Sequence, residues 1–89
     1  MNEKIKLFRK LHNCADVFVH SNGHISKYWP DNFTGIRYCW HKNGYPHLKI
    51  NFKGGHPNGL YEEWDKNGKI IDRIKFKNGF IDLIVKEKL

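Results

Sequence analysis

The sequence predicts a mainly β chain, an antiparallel meander of repeated β-hairpins with a short N-terminal helix. Three observations predict it. First, the chain repeats itself. Residues 35–55, GIRYCWHKNGYPHLKINFKGG, match residues 59–79, GLYEEWDKNGKIIDRIKFKNG, at nine of 21 positions with an offset of 24. A fixed period with matching turns and aromatics signals a repeat architecture. Second, each copy carries an Asn-Gly step, Asn43-Gly44 and Asn67-Gly68. Asn and Gly tolerate the positive φ that tight hairpin turns need. Third, apolar residues alternate with polar ones around both steps. Ile36, Tyr38 and Trp40 precede the first turn, and Leu48, Ile50 and Phe52 follow it. Leu60 and Trp64 precede the second, and Ile70, Ile74 and Phe76 follow it. A period of two reads as a half-buried strand, with one face packed and one wet.

The elements follow in order. A chain of 89 residues implies a single domain, 1–89. Residues 1–14 hold the helix, with Asn2 as its cap and Glu3 in its first turn. Ile5, Phe8 and Leu11 form a stripe facing the sheet, and Lys4, Lys6, Arg9 and Lys10 occupy the rest. Residues 15–34 form a degenerate first repeat, with Val17-Phe18-Val19 before an Asn22-Gly23 turn and Ile25 after it. Pro30-Asp31-Asn32 then starts a loop. Residues 35–58 and 59–79 are the full repeats, which places Trp40 and Trp64 at equivalent packed positions. Residues 80–89 supply a last strand, Phe80–Val85, with Lys86-Glu87-Lys88 blunting its exposed end. A domain this small buries only about 60–65% of its unfolded surface. Six Phe, four Tyr and three Trp are therefore expected to fill most of the core.

The repeat resembles the MORN repeat in its variant form. In that family a Gly-x-x-x-x-Trp segment leads to an Asn-Gly turn, a strand and a closing Lys-x-Gly. Gly35, Trp40, Asn43, Gly44, Phe52, Lys53 and Gly55 match it, as do Gly59, Trp64, Asn67, Gly68, Phe76, Lys77 and Gly79. The resemblance covers residues 35–79 well and residues 17–34 poorly. It implies a hairpin sheet. It also implies a small antitoxin or immunity-type inhibitor, as in the YwqK-type bacterial repeat proteins. A phage-encoded inhibitor of a host defence enzyme would carry the same features. The matching residues are turns and core, so the motif speaks to fold more than to function.

Charge gives the first functional clue. Sixteen Lys and Arg oppose nine Asp and Glu, a net charge of +7, and residues 32–61 contain no acid. Parity along the strands sets Arg37, His47, Lys49, Lys53, Arg73 and Lys75 against the apolar residues. They are expected on one shared wet face, with Tyr61 near them. Such a face is often no more than a solvated surface. Its functional reading is a docking face for a protein with an acidic surface. Nucleic acid is the alternative, with Tyr61 or Tyr45 for stacking. An anionic lipid surface is a weaker third.

No metal, cofactor or catalytic residue is expected. His12-x-Cys14 and Cys39-x-His41 would form a zinc-type set only across a long gap. Free thiols are the simpler reading of Cys14 and Cys39. Ser21, Ser26 and Thr34 are the only hydroxyls of their kind, and none has a base and an orienting group at useful spacing. Glu62 and Glu63 are adjacent, so on a strand they point to opposite faces. The absence of a long apolar run and of a signal-like N-terminus makes the expected setting cytoplasmic.

The turn assignment is open to a direct test. Gly68→Val places a β-branched side chain at a positive-φ position and is expected to melt well below the wild type. An unchanged melting temperature would overturn the hairpin assignment.

Overall fold

The structure is a computed structural model, and it describes residues 3–81. Helix α1 (Glu3–His12) is followed by seven strands in one sheet. They are β1 (Asp16–His20), β2 (Ile25–Ser26), β3 (Gly35–Trp40), β4 (Pro46–Lys53), β5 (His56–Trp64), β6 (Ile70–Lys77) and β7 (Phe80–Ile81). The spatial order is β2-β1-β3-β4-β5-β6-β7, and every pairing is antiparallel. The expected cap Asn2 and the expected strand beyond Ile81 lie outside the described residues. From β3 onward the chain is a simple meander. At the start it is not, because β1 rather than β2 pairs with β3. The loop between β2 and β3 therefore crosses one face of the sheet.

The repeat reappears in three dimensions. Gly44 and Gly68 take φ of 91° and 87° at the two hairpin tips, as the Asn-Gly steps require. Both hairpins also carry a β-bulge at the same place. Cys39 pairs with Leu48 and Trp40 with Pro46, which leaves His47 as the extra residue. Glu63 pairs with Asp72 and Trp64 with Ile70, which leaves Ile71 as the extra residue. The tips touch each other. Asn43 Nδ2 donates to Lys66 O at 2.6 Å, and His41 Nε2 donates to Trp64 O at 2.8 Å.

Both faces of the sheet are packed, not one. Residues opposite each other in an antiparallel pair lie on the same face. One row reads Val17, Tyr38, Lys49, Glu62, Arg73, and the next reads Phe18, Arg37, Ile50, Tyr61, Ile74. Helix α1 covers the first face, where Ile5, Val17, Tyr38 and Trp40 form a buried cluster against Phe8, Cys14, Val19 and Ile36. The β2–β3 loop covers the second. Its Phe33 stands edge-on to Phe18, and its Trp29 edge-on to Phe52. Phe18 and Phe33 are each 1% exposed. Gly35 makes this cover fit, since a Cβ there would strike Val19 O and come within 2.9 Å of the Phe33 ring. The molecule is accordingly thin, 40 × 32 × 17 Å.

Two details of the expected core differ. Leu11 is 71% exposed, because the apolar side chains that α1 packs on the sheet are Ile5 and Phe8. Trp40 and Trp64 are equivalent in register but not in burial. Trp40 lies beneath α1 at 8% exposure, whereas Trp64 lies beyond the helix and is half-buried. Trp40→Ala is therefore expected to cost about 3–5 kcal/mol in urea denaturation, and Trp64→Ala clearly less. Equal losses would show that α1 does not provide the packing at Trp40.

Candidate docking face

The register sorts the strand charges between the two faces. On the helix face Lys49, Glu62 and Arg73 stand side by side on β4, β5 and β6. Lys75 sits opposite Leu60 on the same face, and Lys53 and Lys77 follow by alternation from Phe52 and Phe76. Glu62 is the one strand acid on this side among the described residues, and its Oε2 is 3.0 Å from Arg73 Nη2. Lys49, Lys53 and Lys75 form no ion pair with a described residue. The loop face holds Asp16, Glu63 and Asp72, in the row Asp16, Cys39, Leu48, Glu63, Asp72.

Polar groups on the loop face are largely engaged with one another. Asp16 Oδ1 accepts from Arg37 Nη2 at 2.8 Å, Arg37 Nε at 3.2 Å and the Cys39 thiol at 2.8 Å. The Arg37 guanidinium also lies 5.1 Å from the Trp29 ring centroid, which ties the loop cover to the sheet. Burial, and then the bond to Asp16, pushes the Cys39 thiol up to about 12. Tyr61 Oη donates to Glu63 Oε1 at 2.8 Å, and burial together with that bond pushes the phenol up to about 12. His47 Nε2 is 3.7 Å from Glu63 Oε2, and its ring centroid is 4.2 Å from that of His41.

The seven residues read from the sequence as one surface are therefore split. Lys49, Lys53, Arg73 and Lys75 share the helix face. Arg37 and Tyr61 lie on the loop face, and the bulge turns His47 toward Glu63 on that side. The cause is the pairing of β3 with β4. Tyr38 faces Lys49 and Arg37 faces Ile50, so the apolar sets of the two strands lie on opposite sides. Parity within a strand was legible, but the relative parity of two strands was not.

The sequence reading also missed a cleft. Lys6, Arg9 and Lys10 of α1, with Asn13 and Cys14 just after it, face Trp40, Gly44 and Pro46 across an open cavity of about 600 Å³. Lys6, Arg9, Lys10 and Asn13 have helical spacing i, i+3, i+4, i+7, a signal that the apolar stripe overshadowed. Beyond Pro46 a smaller hollow of about 210 Å³ continues along the helix face, lined by Tyr38, Lys49, Glu62 and Trp64. The described residues contain no cluster of three or more His, Cys, Asp or Glu able to hold a metal ion, and no helix long and apolar enough to cross a membrane. No protein-family model, curated protein or solved structure matches the chain.

The loop-face network fixes the direction of an alkaline transition. Cys39 and Tyr61 hold their protons more tightly when folded, from ordinary values of 9.0 and 10.0. Their contribution is complete below about pH 9 and is lost as pH rises toward about 12. Cys39→Ala is expected to flatten the fall in melting temperature over that range. An identical slope in the variant would show that Cys39 ionises as readily in the folded chain as in the unfolded one.

Proposed function

We propose that the chain is a non-enzymatic binding module that docks onto an acidic protein surface through its helix face and so blocks or scaffolds that protein. The segregation of strand charge carries this reading. Among the described residues Lys49, Lys53, Arg73, Lys75 and Lys77 share a side with a single strand acid, Glu62, while Asp16, Glu63 and Asp72 are on the other. A surface of one sign steers oppositely charged partners and speeds their association. The half-buried Trp64 adds an apolar anchor of the kind that dominates protein interfaces. The resemblance of residues 35–79 to the MORN-variant repeat supports an antitoxin, immunity or anti-defence type of inhibitor.

One observation favours a second reading. Trp64 stands beside Lys49 in the smaller hollow, and an exposed aromatic edge among cations suits single-stranded nucleic acid. Stacking by Tyr61 has no support, since it lies on the opposite face. The two readings separate by salt response, which is steep for phosphate backbones.

The test uses labelled polyglutamate and oligothymidylate as probes, each titrated over a salt series. Lys53→Glu with Lys75→Glu is expected to weaken polyglutamate binding at least about tenfold with an unchanged melt, because exposed charges contribute little to stability. Lys66→Glu at a hairpin tip serves as the control. Polyglutamate binding unaltered by the double substitution would sink the docking reading. Tighter and more salt-sensitive binding of oligothymidylate would transfer the face to nucleic acid.

A further inference from the structure

The cleft between α1 and the β3–β4 hairpin is chemically distinct from the docking face beside it. Its lining brings Lys6, Arg9 and Lys10 together, with no acid among the described lining residues. Cations near a helix C-terminus complement the helix dipole, and that accounts for Arg9 and Lys10 on the last turn. It does not account for three further features. The Arg9 guanidinium is held 5.0 Å from the Trp40 ring centroid, which fixes a long side chain in place. Arg9 Nε is buried and has no hydrogen-bond partner among the described residues. A donor closed off in this way is costly, and a small shift of the guanidinium toward an acceptor in the cleft would relieve it. The cavity of about 600 Å³ also falls within the size range of small-molecule sites.

We propose that this cleft is a binding site for a small ligand bearing two or more phosphoryl groups, a free polyphosphate or the phosphate tail of a nucleotide. Three converging cations exceed what one carboxylate would neutralise, whereas a diphosphate group offers both the charge and the acceptor oxygens to match them. Lys6 and Lys10 act as mobile point charges and Arg9 as the preorganised donor. Trp40 and Pro46 form the apolar wall against which the non-phosphate part of a nucleotide would lie. Lys6 has only a loose, solvent-exposed contact with Glu3 at 4.0 Å, so it is not withdrawn from the site. The site adjoins the docking face at Pro46, and neither reading requires the other.

The experiment is calorimetric titration of the folded chain with pyrophosphate and with ATP, and with citrate as a multivalent carboxylate. Tryptophan emission is followed in parallel, because Trp40 borders the site. Pyrophosphate and ATP are expected to bind saturably with one-to-one stoichiometry, and citrate more weakly. Lys6→Glu with Lys10→Glu is expected to weaken the phosphate ligands at least about tenfold, while Lys53→Glu with Lys75→Glu changes them by less than about twofold. Circular dichroism confirms that both variants are folded. The proposal is overturned by the absence of saturable binding at millimolar ligand, by citrate binding as tightly as pyrophosphate, or by equal loss in the two double variants. The last two outcomes would mark a diffuse attraction between a basic chain and any anion.

Discussion

In an antiparallel pair, facing residues must share a side of the sheet, and that constraint decides nearly everything else in this molecule. Arg37 faces Ile50 and Tyr38 faces Lys49. Once that register is set, β3 presents its apolar residues to one side and β4 presents its own to the other. A single cover would leave one set in water. The chain resolves this with two unlike covers, a basic helix over Val17, Tyr38 and Trp40 and an aromatic loop over Phe18 and Phe52. Each is small, which suits a chain with little surface to bury.

Among the described residues the covers reach only the β1–β4 half of the sheet. Past Trp40 the strand cations of the helix face accumulate around Glu62. Among the described residues the loop face retains the other strand acids, Asp16 held by Arg37 and Cys39, and Glu63 by Tyr61 and His47. Opposite polarity on the two sides is thus a product of register and not of net composition. A charge of +7 alone would have suggested a uniformly basic body.

Much of the fold was legible because its signals are local. The Asn-Gly steps, the 24-residue period and the alternation around Ile50 and Ile74 each concern residues close in sequence. Legibility stopped where two segments had to be placed relative to each other. The relative parity of β3 and β4 depends on a turn and a bulge at His47, and neither is encoded in alternation. The position of β2 outside β1 depends on Trp29 and Phe33 reaching back across the sheet. The cleft depends on where α1 docks, which a short apolar stripe does not specify. Leu11 fits the same stripe as Ile5 and yet points into water.

The period itself carries a consequence. It is an even number, and the two bulges fall at equivalent places, so residues 24 apart emerge on the same side of the sheet. Ile50 and Ile74 do so, as do Lys49 and Arg73. Duplication of one such unit adds two strands without inverting any side chain from dry to wet. The Asn43 contact with Lys66 O shows how adjoining tips join, and Asn67 holds the same place at the next tip. Length in this architecture is thus a free variable for a lineage to change. A gene that gains or loses whole units alters the breadth of the charged side in steps while the rules of packing stay fixed.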